Sequence, residues 1–193
     1  MTQYIQGIKY RWKLPEVEQS KVAEVVSRHN LSFATAHTLL SRGLEKPEDI
    51  NDFLFTPHEK FVFHPGLFKD SEKAVDRIFQ AIEKKEKILI FGDYDVDGIT
   101  STSLLLSSLL PLGAKINYFL PNRERDGYGL SKKIVKKAAG SDYSLIITVD
   151  NGITAIEASE VAEELGVDLI ITDHHRPHGE IPKAVAIINP NQT

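Results

Sequence analysis

Hydrophobic residues follow two different patterns along this chain, and the change falls near residue 85. Before that point, apolar positions recur at the helical period of about 3.6 residues. They predict a helix that begins at Pro15, one from Asn30 or Ser32 to Gly43, one that begins near Lys46, and one over residues 71–84. The first 84 residues are therefore predicted to form a small helical region.

After residue 85, short apolar runs alternate with helical stretches. The runs lie at residues 88–91, 116–120, 145–149, 169–172 and 185–188, and the helical stretches at 101–110, 131–139 and 155–165. Continuous apolar strands that are separated by helices are typical of a parallel sheet covered on both faces. Residues 85–193 are therefore predicted to form an α/β domain with a doubly wound, mainly parallel five-stranded sheet.

Composition narrows the chemistry but leaves the partner open. The chain has 193 residues and no cysteine, which excludes disulfides and thiolate metal sites. It begins without an apolar leader, and no apolar run approaches the roughly 18 residues of a membrane span, so we predict a cytoplasmic protein with no membrane partner. The net charge of −4 argues against binding of nucleic acid through the overall charge of the protein, although bound cations would make the charge locally positive.

Acidic residues and histidines directly follow three of the five predicted strands. They are Asp93, Asp95 and Asp97 after the first strand, Asp150 after the third, and Asp173, His174 and His175 after the fourth. The carboxyl ends of parallel strands lie along one edge of a sheet, where ligands bind. The pattern therefore predicts that five aspartates and two histidines converge on one crevice.

Carboxylates that lie so close together repel one another strongly. At about 4 Å and an effective dielectric constant near 20, each neighbouring pair costs roughly 4 kcal/mol. Bound cations remove this repulsion, and carboxylate with imidazole suits Mn²⁺, Mg²⁺ or Zn²⁺. Because the ligands exceed the need of one ion, we expect two ions that share an aspartate, an arrangement suited to displacement at phosphorus.

Each motif has a simpler interpretation when it is taken alone. Residues 93–98 match the start of an EF-hand loop, but Leu104 stands where that loop needs a glutamate, and a strand precedes it. One of the aspartates could cap the following helix, Asn151-Gly152 is a turn signal, and the two histidines could be ordinary loop residues. The coincidence of three motifs at equivalent strand ends favours the metal site.

Taken together, the three motifs resemble those of the DHH phosphoesterases in order and spacing over residues 90–175. Residues 121–130 and the helical preface that contains Trp12 are similar to the family's exonucleases that act on single-stranded DNA. Smaller members of the family begin almost directly with the first strand. The resemblance covers nearly the whole chain and implies a hydrolase.

The resemblance also implies a role for each matching residue. The implied metal ligands are Asp93, Asp95, Asp97, Asp150 and His174, with Asp150 bridging two ions of Mn²⁺ or Mg²⁺. His175 is expected to face the scissile phosphate as a catalytic residue together with Asp97, and Asp173 to orient a histidine from behind. Arg123 and Arg125 are candidate contacts to nucleic acid, with a structural role as the open alternative.

Two departures from the family pattern affect these expectations. Phe91 stands where many members carry a histidine, so one metal ion is expected to have fewer protein ligands. The family's fourth-motif aspartate and second domain are absent from the chain, which ends just after the fifth predicted strand. We therefore expect a piece of a longer protein, with an incomplete catalytic domain and weak activity of its own.

The reaction implied by the resemblance is hydrolysis of single-stranded DNA from 5′ to 3′, which releases 5′-mononucleotides during DNA repair and recombination. One alternative is a DHH phosphodiesterase that acts on nanoRNA or small nucleotides; the helical preface argues against it. Another is a non-catalytic DHH-like scaffold of replication proteins, against which the three intact motifs argue.

Overall fold

The computed structural model describes residues 4–122, 125, 127 and 129–192. It contains two compact units, residues 1–63 and 64–193. The predicted boundary at residue 84 stays a prediction, and the helix that precedes it lies in the second unit. Within the described residues, no helix is both long and apolar enough to cross a membrane.

The first unit consists of a hairpin and three helices. Strands β1 (Tyr4–Gln6) and β2 (Arg11–Lys13) pair antiparallel, and helices α1 (Gln19–His29), α2 (Phe33–Ser41) and α3 (Pro47–Phe55) follow. The helices bury Val22, Val25, Ala36, Leu39, Leu40 and Ile50 in a core of their own. Helix α2 begins where predicted, because the Ser32 hydroxyl accepts a hydrogen bond from the Thr35 N–H. Helix α1 begins at Gln19 instead of the predicted Pro15, because the preceding Glu18 is extended.

The second unit alternates helices and strands. It contains α4 (Ser71–Glu83), β3 (Lys87–Phe91), α5 (Val96–Leu109), β4 (Lys115–Phe119), α6 (Lys132–Ala139), β5 (Tyr143–Val149), α7 (Ile156–Glu164), β6 (Asp168–Thr172) and β7 (Ala186–Ile188). Short 3₁₀ turns lie at Pro65–Leu67 and Leu110–Leu112. The strands form one sheet in the order β4-β3-β5-β6-β7, and every neighbouring pair is parallel. The predicted five-stranded sheet is confirmed.

Apolar side chains cover both faces of this sheet. On one face, residues of α6 and α7, among them Val135 and Ala162, pack against Phe91, Ile146 and Ile171. On the other face, residues of α4 and α5 pack against alternate positions of the same strands: they are Ala74, Ala81, Ile82 and Leu109 against Ile88, Leu145, Ile147 and Ile170. Because successive residues of a strand face opposite sides, strands buried on both sides read as continuous apolar runs.

The strand order creates one crevice at the carboxyl edge of the sheet. From β3 the chain crosses to β4 on one side, and the next strand, β5, lies on the other side of β3. A sheet with this reversal opens a gap above the carboxyl ends of the two central strands, which is where ligands bind in open α/β sheets. The first two predicted motifs follow β3 and β5 directly, so the topology brings them to this gap.

Arg77 links helix α4 to the amino-terminal edge of the sheet through two ion pairs. Its Nε lies 2.6 Å from Asp168 Oδ2 at the start of β6, and its Nη2 lies 2.7 Å from Glu86 Oε2. The Arg77 side chain is only 10% exposed, whereas that of Asp168 is 45% exposed. Water therefore screens one of the two ion pairs.

We predict that Arg77→Ala lowers the free energy of unfolding by about 1–2 kcal/mol, because two carboxylates lose their buried partner. Urea unfolding followed by far-UV circular dichroism measures the loss. The matched control is Lys73→Ala on the same helix: this lysine is 67% exposed, so the loss of its ion pair with Asp70 should cost about 0.5 kcal/mol or less. Equal losses in the two variants would contradict a special role for Arg77.

Candidate metal centre

Asp150 stands at the centre of the acidic cluster. Its Oδ1 lies 3.0 Å from His174 Nε2, and one of its carboxyl oxygens lies within 4.8 Å of one of Asp95. Candidate ligand atoms of Asp93, Asp95 and Asp150 lie within 4.8 Å of one another, and so do those of Asp150, His174 and His175. Asp150 therefore belongs to two overlapping ligand groups.

The surroundings of Asp150 disfavour its negative charge. The residue is 8% exposed, and burial, followed by the charge of Asp95, raises the pKa of its carboxyl group. The nearby histidines act in the opposite direction. Two charged carboxyl groups this close repel each other, and a cation between them removes the repulsion, so the donor set fits a hard divalent ion.

The first motif is shaped by the start of helix α5. The Asp95 side chain accepts hydrogen bonds from the N–H groups of Asp97 at 3.0 Å and Gly98 at 3.1 Å. Helix α5 therefore begins at Val96, before the predicted residue 101. Gly98 lies against Asp93 so closely that a Cβ there would stand 2.5 Å from the Asp93 backbone nitrogen. This close approach holds Asp93, 3% exposed, beside the helix end.

Asp97 occupies a different position from its two neighbours. It lies in the first turn of α5, is exposed, and lines an open cleft of about 290 Å³ together with Ser101, Asp150 and His174. It is not a member of either ligand group among the described residues. Its predicted roles as metal ligand and catalytic residue stay predictions.

Asp173 holds the third motif in place through hydrogen bonds to its backbone and to one of its histidine rings. Its Oδ1 accepts hydrogen bonds from the N–H groups of His174 and His175, and its Oδ2 accepts one from the Ile153 N–H. Burial alone would raise the pKa of Asp173, but these N–H donors and the His175 ring outweigh it and lower the pKa. The charged carboxylate holds His175 Nδ1 at 2.7 Å and raises the pKa of that ring. The ring it orients is therefore that of His175.

Two asparagines that we did not predict support the histidines from the next strand end. Asn189 donates a side-chain hydrogen bond to the His175 carbonyl at 2.9 Å, and Asn191 donates one to the His174 carbonyl at 2.7 Å. The Asn189 Oδ1 accepts from the Asn191 N–H at 2.7 Å, which couples the two residues. They follow β7 as the three motifs follow β3, β5 and β6, so the same strand-end rule could have found them.

Asn151 joins the ends of the two central strands. Its side-chain amide is 1% exposed and donates to the carbonyls of Val149 at 2.9 Å and Phe91 at 3.3 Å. The Phe91 ring, which replaces the family's histidine, is buried and stacks on Phe119 with 5.9 Å between ring centroids. At this position the chain offers a packed aromatic ring and no metal ligand.

The predicted contacts to nucleic acid are only partly described. Arg125 is exposed, and its backbone N–H donates to the Asn122 carbonyl at 3.2 Å, which fixes a turn. Arg123 lies outside the described residues. The predicted role of the two arginines in binding nucleic acid stays a prediction.

Comparison with known proteins places the site in a family. Residues 87–193 match the DHH family, N-terminal domain. The single-stranded-DNA-specific exonuclease RecJ of Bacillus subtilis (strain 168) is 41% identical over 95% of this chain, which spans 23% of that relative's length. RecJ of Escherichia coli (strain K12) is 46% identical over 62% of the chain, which spans 21% of that relative's length.

Solved structures agree with this match. An exonuclease RecJ bound to manganese superimposes with a TM-score of 0.63 at 32% identity, over 68% of this chain and 34% of that one. RecJ from Thermus thermophilus in complex with Mn²⁺ gives a TM-score of 0.58 at 26% identity, over 92% of this chain and 24% of that one. The doubly wound sheet and its helices are thus a known arrangement.

We predict that Asp150→Asn stabilises the protein in chelator and removes the stabilisation that Mn²⁺ provides. In chelator, the substitution removes repulsion from Asp95 but also attraction to His174, so the net gain is smaller than the full repulsion. We expect a gain of about 1 kcal/mol, which corresponds to a melting temperature about 2–4 °C higher. The left-handed backbone at residue 150, with φ of 62°, suits asparagine well. With Mn²⁺ present, the loss of a shared ligand abolishes the ligand-linked gain.

Thermal unfolding with chelator and with Mn²⁺ measures both effects, and Asp142→Asn is the matched control. Asp142 has the same left-handed backbone, with φ of 60°, but lies on the surface at the opposite edge of the sheet, before β5. Its variant should melt close to wild type in chelator and keep the full Mn²⁺ shift. If Asp150→Asn behaves in the same way as Asp142→Asn, then Asp150 is not a metal ligand.

Proposed function

This chain belongs to the DHH family, and from that premise we propose that it supplies the catalytic residues of a metal-dependent exonuclease. The proposed enzyme hydrolyses single-stranded DNA from 5′ to 3′ and releases 5′-mononucleotides, in DNA repair and recombination in the cytoplasm. The observation that carries the proposal is the membership of Asp150 in two overlapping ligand groups. The relatives named as single-stranded-DNA-specific exonucleases supply the substrate class.

The proposed metal ligands are carboxylates with one imidazole, a donor set that suits Mn²⁺ or Mg²⁺. Asp93 and Asp95 would hold one ion, His174 the other, and Asp150 both. When bound, the two ions lower the pKa of a coordinated water and neutralise charge on the phosphate oxygens. RecJ structures that carry manganese support this choice of ion.

His175 has the surroundings that a phosphate-facing residue requires. Its Nδ1 is engaged by Asp173 at 2.7 Å, so the ring is oriented and its pKa is raised. A raised pKa favours the protonated ring, which can donate a hydrogen bond to a phosphate oxygen and offset negative charge that develops there. Asp173 acts through His175, so we assign it a positioning role.

The flanking surface would guide the DNA strand. We propose Asp97 as an additional metal ligand and catalytic residue at the open cleft that it lines with Asp150. We also propose Arg125, which follows strand β4 in the chain, as a phosphate contact. We propose the same phosphate-binding role for Arg123, from the sequence alone. An exposed arginine near a scissile phosphate contributes mainly charge, so its contribution falls as salt rises.

We predict that Asn191→Ala weakens Mn²⁺ binding by about 10-fold, because it frees the backbone that carries His174. Isothermal titration calorimetry with Mn²⁺ measures the change. Asn117→Ala is the matched control, since this exposed asparagine on β4 donates a hydrogen bond to the Tyr143 hydroxyl and belongs to neither ligand group. Unchanged Mn²⁺ affinity in Asn191→Ala would show that the β7 end is not part of the site.

We predict nucleotide release from a single-stranded oligonucleotide of about 20 nucleotides, a length that fills an extended binding groove. Release should require Mn²⁺ or Mg²⁺. It should be at least about 100-fold slower in Asp150→Asn than in the wild-type protein of the same length. Chromatography of the products identifies 5′-mononucleotides, and strands labelled at either end give the direction. Faster cleavage of a dinucleotide than of the long strand would instead assign the site to small nucleotides.

A further inference from the structure

Asn151 connects the ends of the two central strands at the point where the candidate metal ligands begin. It follows Asp150 directly and is 1% exposed. Its side-chain amide donates hydrogen bonds to the carbonyls of Phe91 and Val149, the last residues of β3 and β5. The last ladder pair between these strands is Phe91 with Thr148. The amide therefore continues the connection between β3 and β5 beyond the end of their ladder.

The surroundings of the Asn151 side chain require a hydrogen-bond donor. Both of its partners are carbonyl oxygens, which only accept hydrogen bonds, so the NH₂ group has to face them. A carboxylate of the same shape would set its oxygens against these carbonyls in a buried place. The Asn151 Oδ1 is buried and has no hydrogen-bond partner among the described residues. Because an unpaired buried oxygen lowers stability, this residue makes its connection at some cost to the fold.

The two aspartates of the first ligand group are attached to the β3 side of this connection. The Gly92 N–H donates to the Phe119 carbonyl at 3.1 Å, which fixes the end of β3 to β4. The next residue, Asp93, packs closely against Gly98 of helix α5, and Asp95 caps the same helix. A displacement of the end of β3 would therefore carry both aspartates with it.

Other hydrogen bonds join the end of β5 to that of β6, where the histidines lie. The Asp150 N–H donates to the Thr172 carbonyl at 3.0 Å. The Ile153 N–H donates to Asp173 Oδ2, also at 3.0 Å. Neither bond uses the Asn151 side chain. Loss of that side chain would therefore keep Asp150 in place relative to the histidines, but would loosen it relative to the end of β3.

We propose that Asn151 is a positioning residue that sets the distance from Asp150 to the other two aspartates of its ligand group. The metal ion that Asp93, Asp95 and Asp150 would share then depends on Asn151, whereas the ion of His174 does not. Small divalent ions accept little variation in ligand distance, so a slight displacement of one carboxylate weakens binding. The inference rests on the proposed function for its metal ligands and not for its substrate.

Titration with Mn²⁺ tests whether the effect is confined to one ion. Isothermal titration calorimetry of the wild-type chain should resolve two bound ions. In Asn151→Ala, one ion should bind at least about 10-fold more weakly, the usual effect of removing a residue that supports a metal ligand, and the other should bind as in wild type. Two ions bound with wild-type affinities in this variant would overturn the inference.

Electron paramagnetic resonance adds a readout that a loss of overall stability does not change. Two Mn²⁺ ions that share a carboxylate couple magnetically, whereas separate ions do not. At two equivalents of Mn²⁺, the wild-type chain should give the spectrum of a coupled pair, and Asn151→Ala should give that of separate ions. A coupled pair in the variant would contradict the proposed role of Asn151.

Two control variants separate positioning from a general loss of stability. Ile88→Val shortens a fully buried side chain near the other end of β3, so it destabilises the core without touching the strand ends. Thr148→Val removes a buried hydroxyl that has no hydrogen-bond partner among the described residues, beside the end of β5. Both controls should bind two Mn²⁺ ions as wild type does. Selective loss of one ion in either control would assign the effect to stability and overturn the inference.

Amide exchange in the unmodified chain covers the case in which Asn151→Ala does not fold. In NMR spectra of the isotope-labelled protein in chelator, the buried NH₂ group of Asn151 should exchange with water more slowly than that of the exposed Asn117. Because coupling between two events is reciprocal, added Mg²⁺ should slow the exchange of the Asn151 group further. Exchange as fast as that of Asn117, or unchanged by Mg²⁺, would overturn the inference.

The remaining outcomes separate this inference from the proposed exonuclease. If the wild-type chain binds two ions and releases nucleotides while Asn151→Ala keeps both ions, only this inference fails. If Asn151→Ala loses one ion selectively but the wild-type chain releases no nucleotide, the proposed exonuclease fails and the role of Asn151 stands. A wild-type chain that binds fewer than two ions would overturn the two-ion centre and this inference with it.

Discussion

Mutual repulsion among the carboxylates at the sheet edge is the constraint on which the rest of this structure depends. The parallel sheet brings Asp93, Asp95, Asp150 and Asp173 to one edge, and the chain surrounds them with N–H donors. Asp95 takes the free N–H groups at the start of α5, where the helix dipole also favours a negative charge. Among these four carboxylates, only Asp150 accepts no backbone N–H hydrogen bond from the described residues, and its pKa is the one that rises.

At the end of β6, one carboxylate is kept charged so that it can position a neighbouring histidine. Burial raises the pKa of Asp173, but the N–H groups of His175 and Ile153 together with the His175 ring lower it, and the charged carboxylate then holds that ring. Asn189 and Asn191 fix the backbone of the same two histidines from the next strand. The histidines are therefore held from the ring side and from the carbonyl side, which limits their movement without filling the cleft.

The sheet and the convergence of motifs could be predicted, because a strand buried on both faces leaves a continuous apolar run. The start of α5 could not, since Gly98, Ile99 and Thr100 are weak helix formers and the Asp95 cap decides the boundary. The hairpin was missed because strands of three residues with both faces exposed show no periodicity. Asn189 and Asn191 lie at an equivalent strand end, but they were missed because they carry no charge and the search was limited to acidic residues and histidines.

Net charge is a poor guide to the proposed partner for a related physical reason. At physiological salt, charges farther apart than about 8 Å hardly affect each other, so a phosphate responds to its nearest groups and not to the sum over the chain. The acidic cluster repels a phosphate unless cations are bound, and the same cations that relieve Asp150 reverse the sign of the cleft. In the proposed enzyme, metal binding and substrate attraction would therefore be one electrostatic event at the sheet edge, which the composition of the whole chain does not reveal.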